Sequence, residues 1–370
     1  LVLGTHGRAA YVIDDYSGLR GLSSGDFNSR MKILSTSPGQ QYNARQSPST
    51  RFTGSGEFRA DNEPYGVMLT FMASGEDLPH PDSDAERVRK IGMRENPAGP
   101  GTQTGEQDQD DETPRSPRLS VTVKDVDGAV IRFYKTDVHQ GINRLVWSMR
   151  RDGIRPVKID EKKKPGDGLP AGPAVLPGRY DVTLSLGDVS TTTSVEVLQD
   201  PRSPYGRDEL QANFDARMSL MAMQDTVNQA LRQIDATRAD IDTINDLLRL
   251  RMAQGESESL ESLKKQTGDV RKRLDELEKL YRTPDKTKGI TYDEDTVASR
   301  LGAARSYVGP GNGAPSPTAL SYFELLRSSL EKATKEVNGF MTGDLADLRK
   351  RVNDAGITLL KTGDPIALPQ

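Results

Sequence analysis

The histidines and the cysteine count decide first which chemistry this chain could perform. His6, His80 and His139 lie far apart in the sequence, and none has a second histidine four residues away, as a pair of ligands on one helix would. Because zinc needs three or four ligands that converge on one point, the sequence predicts no metal site. The chain contains no Cys, which excludes thiolate ligands, disulfides and cysteine nucleophiles.

Acidic residues are the next candidates for chemistry. Asp14 and Asp15 are adjacent at the end of a predicted strand. Glycoside hydrolysis needs two carboxylates that face each other at about 5–9.5 Å, whereas successive strand residues point to opposite faces. We therefore interpret this pair as strand-end residues. The acidic run Gln107–Glu112 lacks the alternating order and closing Glu of an EF-hand loop, and we interpret it as a solvated loop.

Motifs for other reactions are missing from the places where they would act. No G-x-S-x-G elbow, P-loop or dinucleotide-binding glycine motif lies between a predicted strand and a predicted helix. The Lys162–Lys164 run has no interleaved aromatic residues and the net charge is −4, so we predict no nucleic-acid partner. The only Trp, Trp147, lies in an alternating strand and is predicted to be core. The sequence predicts no cofactor.

Length and composition limit the architecture that positions these residues. A length of 370 residues predicts two or three domains. The residues are 34% hydrophobic and 28% charged. No run approaches the roughly 18 apolar residues of a membrane span, so no span is predicted. Because Leu1-Val2-Leu3 reads as the middle of a strand, we expect this chain to be the C-terminal piece of a longer protein.

Alternating hydrophobic residues organise the first part of the chain. Residues 1–16 predict two strands around a tight turn, and residues 17–51 predict a linker rich in Ser, Gly and Gln. Residues 52–200 predict a β-sandwich of six or seven short strands. It is interrupted at 76–117 by an insertion with 11 acidic and 5 basic residues, expected to be disordered. The predicted strands begin at Phe52, Gly66, Leu119, Val130, Gly141, Pro177 and Thr191.

A helical period replaces the alternation after Pro204. Apolar residues recur at spacings of three, four and seven and predict helices over 208–252 and 256–281, with a shorter third helix around Leu301. A fourth helix is predicted from Ser316, as a cap before Pro317, to Gly356. Since each helix has one apolar stripe, residues 201–370 predict a four-helix antiparallel bundle.

Several strings together resemble one family. The first is Leu1-Val2-Leu3-Gly4-Thr5-His6-Gly7-Arg8, followed by Tyr11-Val12-Ile13-Asp14-Asp15 and Leu19-Arg20. These resemble the last propeller repeat of bacterial secreted proteins with sortilin-like (VPS10/BNR-repeat) β-propellers, often labelled glycosyl hydrolases or sialidase-like. The resemblance continues in Phe58-x-Ala60-x-Asn62-x-Pro64-Tyr65-Gly66, Gly141-Ile142-Asn143-Arg144-Leu145-Val146-Trp147, Pro177-Gly178-Arg179-Tyr180 and Asp200-Pro201-Arg202.

The resemblance implies an architecture and a location. It implies the end of a propeller, an immunoglobulin-like sandwich similar to that of flagellar-hook capping proteins, and a helical tail. The parent would be secreted, periplasmic or on the outer surface. No catalytic residue carries over, since the acids and nucleophile of propeller glycosidases would lie in other blades and no Asp-box occurs in this chain.

Three functions remain open on these observations. The leading one is a non-catalytic accessory region that supports the propeller and offers an assembly or partner surface, including self-association of the helices. The second is part of a glycoside hydrolase, with His6 and Arg8 at a propeller rim contacting carbohydrate. The third is a peptide- or protein-binding sorting module. Gly-flanked turns often carry polar residues for structural reasons alone, which favours the first.

Overall fold

The computed structural model describes residues 1–4, 6–7, 10–12, 15–43, 63–95, 116–158, 166–254, 257–283, 295–309 and 313–357. Most strands precede the long helices along the chain, as the sequence predicted. Contacts divide the chain into two units. The sheet unit is Leu1–Gly153 with Glu161–Gly206, and the helical unit is Ile154–Asp160 with Arg207–Gln370.

The chain begins with an antiparallel hairpin of β1 (Val2–Gly4) and β2 (Ala10–Val12). Val2 lies opposite Val12, and Gly4 lies opposite Ala10. The hairpin predicted for residues 1–16 is therefore present.

Two larger sheets form the body of the sheet unit. The three-stranded sheet has the order β3 (Met31–Thr36), β5 (Val67–Ala73), β8 (Gly141–Trp147), and both of its pairs are antiparallel. The strands of the five-stranded sheet, in spatial order, are β4 (Gly39–Gln40), β12 (Val189–Leu198), β11 (Gly178–Leu186), β6 (Leu119–Lys124) and β7 (Val130–Thr136). A two-stranded sheet joins β9 (Arg150–Asp152) and β10 (Ala171–Ala174).

Both larger sheets bury residues in one hydrophobic core. Alternate residues of β6, namely Leu119, Val121 and Val123, are completely buried, as the period of two in the sequence requires. Trp147 on β8 lies in the same core, which confirms the prediction for this residue. The strand predicted at Phe52–Phe58 lies outside the described residues.

The linker predicted over residues 17–51 is wrong for much of its length. A short helix α1 (Ser17–Arg20) and a 3-10 turn (Ser24–Asn28) precede β3 and β4, which pair with β5 and β12. Gly18 of α1 is buried so close to Thr70 that a Cβ would come within 2.8 Å of its methyl carbon. The apolar residues of this segment are too few to show an amphipathic period, yet they cover a strand that is buried along its whole length.

The prediction of disorder over residues 76–117 is also wrong in part. A helix, α2 (Ser83–Glu95), occupies the first half of that range. Asp82 caps it, because its Oδ1 accepts the backbone N–H groups of Asp84 and Ala85, both at 2.9 Å. The prediction rested on the composition of the whole insertion and did not consider Asp82 as a helix N-cap. The acidic run Gln107–Glu112 lies outside the described residues.

Among the residues of the helical unit that the structure describes, five helices pack on a second hydrophobic core: α3 (Arg207–Ala253), α4 (Ser257–Tyr281), α5 (Val297–Val308), α6 (Pro317–Thr342) and α7 (Asp344–Asp354). The first three agree with the predicted helices. The predicted fourth helix is two helices, since it is interrupted at Gly343, whose backbone is not helical (φ −102°, ψ −97°). The described part of this region therefore contains one helix more than the sequence predicted.

Candidate functional site

The residues proposed as a propeller-rim site are only partly described. His6 lies exposed in the turn between β1 and β2. Arg8 lies outside the described residues, so no distance between the His6 and Arg8 side chains is described. No catalytic group can be assigned to this turn from the geometry of His6 alone.

The hairpin that carries His6 is unusual for the amount of apolar surface it exposes. Val2 is 68% exposed, Leu3 46% and Val12 63%. Successive strand residues point to opposite faces, so Val2 and Leu3 expose apolar surface on both sides of the hairpin. A two-stranded hairpin is marginally stable by itself, and its side chains gain little from burial in this conformation.

The other two histidines make local backbone contacts. His80 Nδ1 accepts the N–H of Asp82 at 3.0 Å, and His139 Nδ1 lies 2.8 Å from the carbonyl oxygen of Gln140. Among the described residues, no group of three or more acidic or histidine side chains could hold a metal ion. Both histidines therefore contact the backbone close to their own positions.

The carboxyl groups with a perturbed pKa in the described part of the chain are all shifted downward. Hydrogen bonds from Arg89 lower the pKa of Glu86 to about 2, and those from Arg30 lower the pKa of Asp77. The same direction holds for Asp15, Asp26, Asp82 and Asp200. A general acid near neutral pH needs a raised pKa, so these groups are suited to ion pairing and capping.

One serine has the spacing of a nucleophile elbow but the wrong surroundings. Ser23 is the centre of the string Gly21-Leu22-Ser23-Ser24-Gly25. It follows α1 instead of a strand and caps the 3-10 turn, and its N–H donates to Asp26 Oδ2 at 2.9 Å. An elbow places its serine between a strand and a helix, so Ser23 is a capping residue.

A charged cluster joins α3 and α4. Glu278 is 7% exposed, and its carboxylate accepts hydrogen bonds from Arg238 at 2.7 Å and from Arg282 at 2.9 Å. Asp235 and Asp275 complete the cluster, each within 3.0 Å of Arg238. With all groups ionised, the three carboxylates and two guanidiniums give the cluster a net charge of −1. These pairs fix the antiparallel register of the two helices.

An open groove of about 670 Å³ lies along α6 and faces α3. The residues that line it combine small and polar side chains with Leu330 and the charged Glu331 and Lys335, and they are Thr226, Leu330, Glu331, Thr334, Lys335, Asn338, Gly339 and Thr342. The groove has no cluster of converging ionisable groups among these residues. Its shape suits contact with another surface better than the enclosure of a small substrate.

Polar residues inside the predicted apolar stripe of α3 were missed as a possible recognition feature. Asn213, Asn228 and Thr237 are each less than 9% exposed. Thr237 donates to the carbonyl oxygen of Gln233 within α3, whereas Asn213 and Asn228 donate to backbone carbonyls outside the helix. Buried amides need hydrogen-bond partners, so the two asparagines among the Leu and Ile residues of α3 were an available signal for contacts outside this helix.

Comparison with known proteins does not assign the chain to a family: no family model, curated protein or solved structure matches it. Within the described ranges, no helix is both long enough and apolar enough to cross a membrane.

Proposed function

We propose that this chain is a non-catalytic accessory region of a secreted sortilin-like β-propeller protein. In this proposal the β1–β2 hairpin belongs to the last propeller blade. The two larger sheets form an immunoglobulin-like sandwich, and the helices form an antiparallel bundle that offers a surface for assembly or for a partner. A secreted, periplasmic or outer-surface location is part of the proposal.

The exposed apolar hairpin is the observation that carries this proposal. Val2, Leu3 and Val12 would gain free energy by burial at about 25 cal/mol for each Å² of apolar surface covered. Additional strands would both cover these side chains and hydrogen-bond the free edges of the hairpin. A propeller blade supplies such strands, which is why the exposure supports the resemblance at Leu1–Arg8.

In the part of the chain that the structure describes, the carboxyls with a perturbed pKa are lowered, which suits ion pairing better than general-acid catalysis and supports an accessory role. A carbohydrate or peptide ligand would then bind through the propeller. The α6 groove supports a second surface, used for assembly, on the helical unit. Self-association of the helices is the simplest form of such assembly.

A triple substitution of the hairpin tests the proposal. Val2→Ser, Leu3→Ser and Val12→Ser together should reduce the fluorescence of bound anilinonaphthalene sulfonate, which reports exposed apolar surface. The free energy of unfolding should change by less than about 0.5 kcal/mol, because exposed side chains contribute little. Val67→Ser is the matched control at a fully buried valine and should destabilise the chain strongly. A loss above about 2 kcal/mol for the triple variant would place the hairpin in a core of this chain and contradict the proposal.

A further inference from the structure

A short extended segment lies on α3 and is held by two side chains of that helix. Residues 154–158 follow β9 in sequence, yet their contacts place them in the helical unit. Asn228 Nδ2 donates to the carbonyl oxygen of Arg155 at 2.9 Å, and Arg232 Nη1 donates to the same oxygen at 2.8 Å. Arg232 also reaches the carbonyl oxygen of Pro156 at 3.3 Å. Two donors one helical turn apart thus converge on one peptide carbonyl.

The side chain of Asn228 is oriented by a neighbour on its own helix. Gln224 Nε2 donates to Asn228 Oδ1 at 2.7 Å, which turns the NH₂ group of Asn228 toward the segment. Gln224, Asn228 and Arg232 are spaced four residues apart and form one row on the helix. Asn228 is only 7% exposed. Without a carbonyl in this place, its buried amide would lose a hydrogen-bond partner.

The segment at residues 154–158 contacts α3 through its extended backbone and packs one apolar side chain on the core. Val157 packs against the hydrophobic core of the helical unit. Pro156 fixes its own φ and disfavours a helical Arg155, so the segment is already extended. The three hydrogen bonds described go to backbone carbonyls, and the side chain of Arg155 is exposed. Recognition at this place therefore depends on an X-Pro-aliphatic backbone and not on the identity of X.

We propose that Gln224, Asn228 and Arg232 form a peptide-recognition site, which we name the α3 clasp, and that residues 154–158 fill it as an internal strap. The ligand class is an extended X-Pro-aliphatic peptide of a partner protein, which binds when the strap leaves. This deepens the binding role proposed for the helical unit. It stands or fails separately from the hairpin, because its test uses other residues.

A peptide-binding measurement on a strap variant tests the clasp. The variant carries Ile154→Gly, Arg155→Ser, Pro156→Gly, Val157→Ser and Lys158→Gly in the full chain. The probe is the fluorescently labelled peptide Gly-Ile-Arg-Pro-Val-Lys, and binding is followed by fluorescence anisotropy. We expect it to bind the strap variant at least about tenfold more tightly than the original chain, where the strap competes at a high effective concentration.

Substitutions on α3 show whether the clasp is responsible. Adding Asn228→Ala and Arg232→Ala to the strap variant should weaken binding about tenfold or more, the factor expected for lost hydrogen bonds, one of them charged. Arg249→Ala is the matched control on the same helix, since Arg249 is exposed and pairs only with Asp246 in the contacts described. No binding to the strap variant, or binding that survives the double substitution, would overturn the proposal.

Hydrogen exchange in the otherwise unaltered chain gives an independent test if the strap variant does not fold. Asn228→Ala should increase the exchange rate of the amides of Ile154, Arg155, Val157 and Lys158 about tenfold, because the strap opens more often. Gln229→Ala is the control, since Gln229 is an exposed neighbour that contacts Asp225. Equal exchange of the strap in the two variants would overturn the proposal.

Discussion

The indole of Trp147 meets the ring of Tyr180 edge to face, with ring centroids 5.2 Å apart. Trp147 is on β8 and Tyr180 is on β11, so the contact joins the two larger sheets. Trp147 Nε1 donates to the carbonyl oxygen of Arg150 at 3.0 Å, and Tyr180 Oη donates to that of Leu176 at 2.7 Å. Both rings thus bury their apolar parts with their polar atoms satisfied.

Substitution of Trp147 and substitution of Tyr180 should lower the free energy of unfolding by different amounts. Trp147→Ala should lower the free energy of unfolding by about 3–5 kcal/mol through loss of a large buried side chain. Tyr180→Phe should cost about 1 kcal/mol through loss of one hydrogen bond. Urea denaturation followed by circular dichroism measures both. Tyr307→Phe, at a half-exposed tyrosine, is the control. A cost below about 1 kcal/mol for Trp147→Ala would be inconsistent with its central place in the core.

Gly66 should be intolerant of any side chain. Its φ is +147°, and a Cβ there would lie 2.3 Å from the carbonyl oxygen of Trp147. Gly66→Ala should therefore destabilise the chain by about 2–3 kcal/mol, through strain and displacement of β8. Gly187 has a φ of +61° with no atom within 4 Å of a Cβ. Because Asn tolerates this conformation, Gly187→Asn should cost less than about 1 kcal/mol, and equal costs in urea denaturation would refute the steric explanation.

The charged cluster at Glu278 should matter more than exposed ion pairs. Glu278→Ala leaves Arg238 and Arg282 without their most buried partner and should lower the free energy of unfolding by about 2–3 kcal/mol. Arg249→Ala breaks a pair whose side chains are about 70% exposed and should change it by less than about 0.5 kcal/mol. Urea is the appropriate denaturant because it does not screen charge. If both variants cost the same, the cluster does not stabilise the α3–α4 pair.

Acid should selectively remove the contribution of Glu86. Its pKa is lowered from 4.5 to about 2 in the folded protein, and the largest cause is its hydrogen bonding with Arg89. The stabilisation is complete above pH 4.5 and is lost as the pH falls toward 2, because protonation breaks the pair. Glu86→Gln should lower stability by about 1 kcal/mol at pH 7 and have almost no effect near pH 2. A difference that grows on acidification, in urea titrations at several pH values, would contradict this direction.

Regular periods made the strands and helices with one buried face predictable. β6 has an uninterrupted hydrophobic period, and β8 and α3 keep a recognisable one although buried polar residues such as Asn143 and Asn228 interrupt it. The structure reproduces the positions of all three closely. β3 and β4 were missed because their burial depends on distant strands, β5 and β12, with which they pair. A linker and a short strand that completes a remote sheet can have the same local composition.

The recognition features were less accessible to sequence than the fold. Asn228 and Arg232 fall on a helix that was predicted well, yet their shared partner is the backbone carbonyl of Arg155, 73 residues before Asn228 and 77 before Arg232. A carbonyl has no sequence signature, so only the polar residue within an apolar stripe pointed to it. His6, by contrast, was selected from a string, and its exposed position supplies no reaction geometry.

Hydrolysis of a panel of fluorogenic glycosides by the purified chain tests the central claim most directly. An accessory region should release no fluorophore above the rate of the heat-denatured chain at any pH between about 4 and 8, a range that covers the usual pKa values of catalytic carboxyls and histidines. Turnover that is reproducible and abolished by His6→Ala would contradict the non-catalytic role and assign a reaction to the hairpin turn.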